Sequence, residues 1–287
     1  MTNDQRQNVS SDKFLGAWLV TEYVYNPNGR FMGTIHQRRE LEQLDNGNIR
    51  VIQHCHPDDR LAEHPMGRFT GTPVFELQVD GRYRRYLGPA VIGTGIPWSE
   101  GVMTGSGVWP KFGYNFRSFG FLATPTRQLT GGKFFNATEM VANIVGVAMP
   151  ETETETYPEL DGAVFANEVS SIWQGSYRLV SPSGEVLQEE NCERRYAENG
   201  RWRDVISEQD YLFDIQERII CRNQSETYIG IAKQTGWMLE AELYEKNGRS
   251  LHIQEVLDSS FGNLVSLRHW YQDGELERVE VIKLKAV

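Results

Sequence analysis

The sequence predicts an all-β protein built as two tandem antiparallel β-barrels, and three observations carry that expectation. Hydrophobicity alternates with a period of two along most of the chain, and the helical period is weak outside a short turn near Phe14. Turn signals punctuate that alternation at short intervals, as strands joined by tight hairpins require. The third observation is a repeat. The frame from Pro27 to Leu41 returns, without gaps, from Pro182 to Tyr196 at a constant offset of 155.

The elements follow in order. Trp18 to Tyr25 opens the first half as a strand, and the Asn26-Pro27-Asn28-Gly29 turn leads back into Phe31 to Leu44. Asp45-Asn46-Gly47-Asn48 is a hairpin signal, because Asn-Gly supplies the positive φ of a type I′ turn. Asp80-Gly81 joins Val74–Val79 to Arg82–Leu87, and a Pro-Thr-Arg turn joins Phe112–Leu122 to Leu129–Phe135. In the second half Glu198-Asn199-Gly200-Arg201, Lys246-Asn247-Gly248-Arg249 and Gln272-Asp273-Gly274 do the same work. Successive hairpins with few edges left over close most readily into barrels, here of about eight strands each. One sandwich made from both halves is the alternative architecture.

Residues 1–12 read as a disordered lead, 13–150 as the first barrel, 151–167 as an acidic linker and 168–287 as a second, mainly structural barrel. The linker expectation rests on Pro150 to Pro158, where Glu and Thr alternate between prolines, so carboxylates repel and ladder pairing is blocked. A hydrophobic content of 39% and an aromatic content of 11% suit globular cores. A net charge of −10 argues against a nucleic-acid groove and against an anionic membrane surface. No apolar run approaches the ~20 residues of a bilayer span, and the N-terminus lacks a signal-peptide core. Cys55, Cys192 and Cys221 are scattered without a CxxC pair, which fits free thiols in a cytoplasmic protein. A homodimer is compatible with all of this.

Gly16-Ala-Trp18 at the head of an antiparallel meander resembles the opening of the lipocalins and their calycin relatives, and Gly175-Ser176-Tyr177 repeats it with Tyr for Trp. With the Pro-x-Gly first turn, the pattern is also similar to lipocalin-type barrels related to the cyanobacterial bilin lyases. The resemblance covers about thirty residues in each half. It implies two lipocalin-like barrels, each a cup suited to an apolar ligand. No second motif carries bilin chemistry across.

The halves differ where chemistry would sit. Gly47 to Arg127 spans 80 positions, and Gly200 to Arg249 spans 49. The surplus is expected in the Gly- and aromatic-rich stretch from Gly88 to Phe119, read as a mouth loop over an apolar or aromatic small molecule. Trp98, Trp109, Phe112 and Phe116 are its candidate ligand contacts, with Arg38 on an early strand. Its alternative is a plug at one barrel end. His54 and His56, two apart on a strand, share a face, and His36 has Asn191 in its place in the second half. Imidazoles inside a cup would move a proton near neutral pH, with Tyr114 and Arg117 polarising or orienting the substrate. The expected function is cofactor-free acid–base chemistry of isomerase, cyclase or lyase type, and its rival is a carrier or chaperone of a pigment or lipid. His36, His54 and His56 are also the donors a zinc ion would need. The His-x-His pair has no well-spaced acidic partner, so no metal is expected. Arg38-Arg39-Glu40 and Glu193-Arg194-Arg195 recur in both halves, which points to a structural role. No nucleophile elbow, phosphate loop or dinucleotide fingerprint is present.

Overall fold

The computed structural model describes residues 12–160, 172–197, 201–206, 209–215, 219–223 and 226–287. The chain forms two compact units, Met1–Glu159 and Leu160–Val287. Each is one closed antiparallel barrel in which every strand pairs with its neighbour in sequence and the last pairs with the first. Two closed antiparallel barrels in tandem are therefore what the chain builds. Each has ten strands where about eight were expected.

The first barrel runs β1 (Gly16–Tyr25), β2 (Phe31–Gln43), β3 (Ile49–Pro57), β4 (Val74–Asp80), β5 (Tyr83–Leu87), β6 (Ile92–Ser99), β7 (Val102–Trp109), β8 (Tyr114–Thr124), β9 (Arg127–Asn136) and β10 (Glu139–Pro150). The second runs β11 (Ile172–Val180), β12 (Val186–Ala197), β13 (Arg201–Ile206), β14 (Gln209–Ile215), β15 (Ile219–Asn223), β16 (Glu226–Thr235), β17 (Met238–Tyr244), β18 (Arg249–Asp258), β19 (Asn263–Gln272) and β20 (Glu275–Ala286). The Gly-rich stretch expected as a mouth loop is wall: it forms β6, β7 and the start of β8. Its glycines sit two apart, so they remove side chains from one face of a strand without breaking it. Much of the surplus length lies elsewhere. Residues 58–73 join β3 to β4 through two 3-10 turns, Asp59–Leu61 and Pro65–Arg68, where only residues 207–208 join β13 to β14.

Strand pairing also corrects how the openings align. Trp18 faces Arg39 across β1 and β2, and Trp173 faces Arg194 across β11 and β12. At the offset of 155 the counterpart of Trp18 is thus Trp173, and Tyr177 stands at the place of Glu22. The aromatic two residues after a glycine drew the eye to Tyr177, but register fixes equivalence. The Glu198–Gly200 turn, the lead up to residue 11 and residues 161–167 lie outside the described residues. The part of the acidic stretch that is described packs on the first barrel: Glu151 N–H donates to Ala17 O at 2.8 Å, and Arg38 Nε and Nη2 each hold its carboxylate at 2.8 Å.

Among the described residues, large side chains occupy the interior of the second barrel. Trp173, Tyr177, Trp202, Phe213, Tyr228, Leu243, Leu251, Ile282 and Leu284 are among its buried residues. Between them lies an ion network. Arg194 donates to Asp204 through Nε (2.6 Å) and Nη2 (3.1 Å) and to Glu255 through Nη1 (2.6 Å) and Nη2 (2.9 Å). Arg268 adds a further bond to Asp204. Arg194 is 0% exposed, so its charge depends on these carboxylates rather than on water. We expect Arg194→Met to strand Glu255, to leave Asp204 with Arg268 alone, and to lower the unfolding free energy of this unit by about 3–5 kcal/mol, read by urea denaturation. A loss below about 1 kcal/mol, the range of an exposed pair, would show that the network does not hold the barrel.

Candidate functional site

The first barrel encloses a cavity of about 190 Å³. One wall is apolar and aromatic, with Phe69, Phe75, Tyr86, Trp109, Phe116 and Phe134. These rings lock one another at an end closed by the 3-10 turns: Phe69 stacks on Phe112 with centroids 4.0 Å apart and meets Trp109 edge-on at 5.4 Å. Trp18 and Phe14 also line the cavity, and the Trp18 indole N–H donates to Phe14 O at 3.0 Å.

Further along the strands that carry Trp109, Phe116 and Phe134, several small residues line the cavity. Gly101, Gly105, Ser118, Gly120, Thr130 and Gly131 line it. At Gly105 even a Cβ would come within 2.6 Å of the Tyr86 hydroxyl and 2.9 Å of Ser118 Oγ. At Gly120 it would come within 2.7 Å of Gln128 Nε2. The corresponding strands of the second barrel, β16 to β19, carry Tyr228, Leu243, Leu251 and Trp270 in its core. The glycines of the first barrel let neighbouring side chains such as Tyr86 and Gln128 pack against the strands.

A polar cluster lies inside, on β1 and β2. Gln37 Nε2 donates to Glu22 Oε2 at 2.7 Å, and Arg39 Nη2 donates to Gln37 Oε1 at 3.1 Å while standing 3.7 Å from Glu22 Oε1. Arg39 Nε is buried without a hydrogen-bond partner. Burial raises the Glu22 carboxyl above its ordinary value, with Arg39 and Gln37 opposing that rise. Arg84 reaches the cavity from β5 and donates Nη1 to Gly81 O and Tyr83 O, at 3.3 and 3.2 Å. Burial pushes the Tyr86 phenol up to about 12, so it stays a proton donor at neutral pH. The same cause lifts the Cys55 thiol in the cavity wall to about 12, which leaves it unreactive.

Of the residues singled out from sequence, Trp109 and Phe116 line the cavity. The others do not. Gln53 and Cys55 are the inward residues of β3, so His54 and His56 lie on its outer face. His54 sits between Glu40 Oε1 at 3.3 Å and Thr72 Oγ1 at 3.2 Å, and His56 is exposed. His36, also outward, packs on Tyr157 with centroids 4.5 Å apart, and burial lowers its pKa. The picture of imidazoles inside the cup is therefore corrected: period two placed His54 and His56 on one face, but it is the outer one, and His36 also lies outside. Arg38 faces out to Glu151 and Glu40, and its neighbour Arg39 is the inward arginine. Arg117 is exposed on the outside of β8. Trp98 lies under the Arg82 guanidinium, 4.6 Å from the ring centroid, and its N–H donates to Thr104 Oγ1 at 2.9 Å. Tyr114 and Phe112 are buried in the aromatic cluster behind the wall. Glu22, Arg39, Arg84 and Tyr86 escaped notice in the sequence. The signal for Arg39 was its alternation with Gln37 and Leu41, all three of which line the cavity. Among the described residues no three His, Cys, Asp or Glu side chains converge as a metal site would require, and no helix is long and apolar enough to cross a membrane.

The folded-state pKa of Glu22 lies above 4.5, so the folded protein holds this proton to higher pH than the unfolded chain does. Its contribution to stability is then largest at low pH and falls as pH rises past 4.5. Glu22→Gln keeps the bond to Gln37 and cannot ionise. We expect its stability relative to the parent to improve as pH rises from 4 toward 7, measured by denaturant titration across that range. A difference independent of pH would contradict the assignment.

Among known proteins, no family model and no curated sequence matches the chain. Among solved structures it is similar to a protein of unknown function from the DUF3598 family of Nostoc punctiforme, with a TM-score of 0.59 at 12% identity, covering 96% of this chain and 97% of that one. It also aligns with an S-type phycobiliprotein lyase from Guillardia theta, with a TM-score of 0.37 at 10% identity over 48% of this chain and 88% of that one. At these identities the first likeness shows a shared two-barrel fold, and the second is too distant to carry an argument.

Proposed function

We propose that the first barrel binds an apolar, aromatic small molecule. The observation that carries this reading is the cavity itself, lined by aromatic rings and small residues, with one compact polar cluster for orientation. That composition is the usual one for a small-molecule site. Its volume exceeds the ~150 Å³ of an apolar cavity known to take up benzene. The second barrel, whose core is filled, serves as structure. No transition metal and no cofactor enters this reading.

Catalysis is a second reading, and Glu22 is its specific support. A carboxyl raised by burial beside a hydrogen-bonding amide and a guanidinium is a general acid or base candidate. The proton-transfer role assigned to His54, His56 or His36 passes to Glu22. In a reaction of isomerase, cyclase or lyase type, Glu22 would move the proton and Arg39 or Tyr86 would hold the developing oxyanion. Glu22→Gln should then lower turnover by about 100-fold or more with ligand affinity kept, whereas a carrier would show no turnover to lose.

The binding reading is tested by filling the cavity. Ser118→Phe places a ring where the ligand lies. Binding of 2-naphthalenemethanol, followed by fluorescence, should disappear in this variant while its melting temperature stays within a few degrees of the parent. Trp109→Ala should weaken binding by about tenfold through lost aromatic contact, and His54→Gln should leave it within twofold. Unchanged binding in Ser118→Phe would overturn the reading.

A further inference from the structure

The two barrels carry the same inward arginine and differ in what answers it. Arg194 faces Asp204 across β12 and β13, and Arg39 faces Gln53 at the same register across β2 and β3. In the second barrel the guanidinium uses Nε and both Nη atoms on two carboxylates. In the first, Gln53 replaces the aspartate, Glu22 stays 3.7 Å away, and Arg39 Nε has no partner. A guanidinium is a planar fork that matches a carboxylate in two bonds. The first barrel has kept the fork and lost the internal carboxylate that filled it.

Three further features surround the open fork. Arg84, 4% exposed, adds a second cation to the same cavity, so two guanidiniums face one carboxyl there in a protein whose net charge is −10. The Tyr86 phenol lies close enough to Arg39 to feel its charge. That hydroxyl and Ser118 Oγ flank Gly105, 2.6 and 2.9 Å from where a Cβ on it would stand.

Resting on the binding reading above, we propose that the ligand is a planar aromatic acid whose carboxylate takes, on Arg39, the place that Asp204 holds on Arg194. The ring lies in the cavity among Trp109, Phe116 and Phe134. The Tyr86 hydroxyl donates to the carboxylate from the side. Binding therefore selects for negative charge inside an acidic protein, and a neutral compound of the same shape binds more weakly.

The test compares 2-naphthoate with 2-naphthalenemethanol, which share a ring system and differ in charge, by calorimetric titration at pH 7. The full-length protein should prefer the acid by at least tenfold. Arg39→Met should abolish the preference while alcohol affinity stays within about threefold. Gln53→Asp, which rebuilds the carboxylate of the second barrel, should do the same without removing the arginine, and so guards against a variant that only misfolds. Tyr86→Phe should weaken the acid alone, by about fivefold. Equal affinities in the parent, or a preference that survives both Arg39→Met and Gln53→Asp, would overturn the anion assignment and leave the cavity reading intact. Binding of neither compound would remove both.

Discussion

A closed barrel of ten strands encloses more space than its backbone needs, and what fills that space decides what each half of this protein does. Backbone pairing is the same in both halves: ten strands, each bonded to its sequence neighbours, with the last closing on the first. The second barrel meets the enclosed volume with large apolar side chains and a buried ion network. The first keeps a cavity, and glycine, serine and threonine are among the residues that line it. Close packing makes apolar voids costly.

The electrostatics follow from the same difference. Arginine recurs inward at positions 39 and 194. In the filled barrel its charge is neutralised inside the protein, by Asp204 and Glu255. In the hollow barrel neutralisation is incomplete: Gln37 takes one bond, Glu22 sits at a distance, and Nε is open. Burial also raises the Glu22 carboxyl, which weakens it as a counter-ion. The polar cluster is thus an incomplete ion network, and the cavity shape determines what can complete it.

Fold class and the doubling were legible in the sequence because hairpin turns and period-two alternation are local signals, and each local signal agreed with the others. Strand number was not. Gly93-Thr94-Gly95 and Gly105-Ser106-Gly107 have the composition of a loop but lie within β6 and β7, since glycine at every second place is a strand with one bare face. Part of the site was legible too. Trp109 and Phe116 stand in the cavity wall, while His36 lies outside and so do His54 and His56, whose shared orientation was read from spacing. Spacing shows which residues share a face but not which face is the inner one. The alignment of Tyr177 with Trp18 failed for a related reason: a short motif was matched by eye, while the offset of 155 in the next strand already placed Trp173 there.

The central claim is that the first barrel is hollow and apolar while the second is filled. Xenon enters dry apolar cavities and reports their position without depending on ligand chemistry. Diffraction from xenon-pressurised crystals of the ligand-free protein should show a site between Trp109, Phe116 and the wall at Gly105, and none among Trp173, Trp202 and Trp270. Xenon absent from the first barrel, or present in both at similar occupancy, would contradict the account.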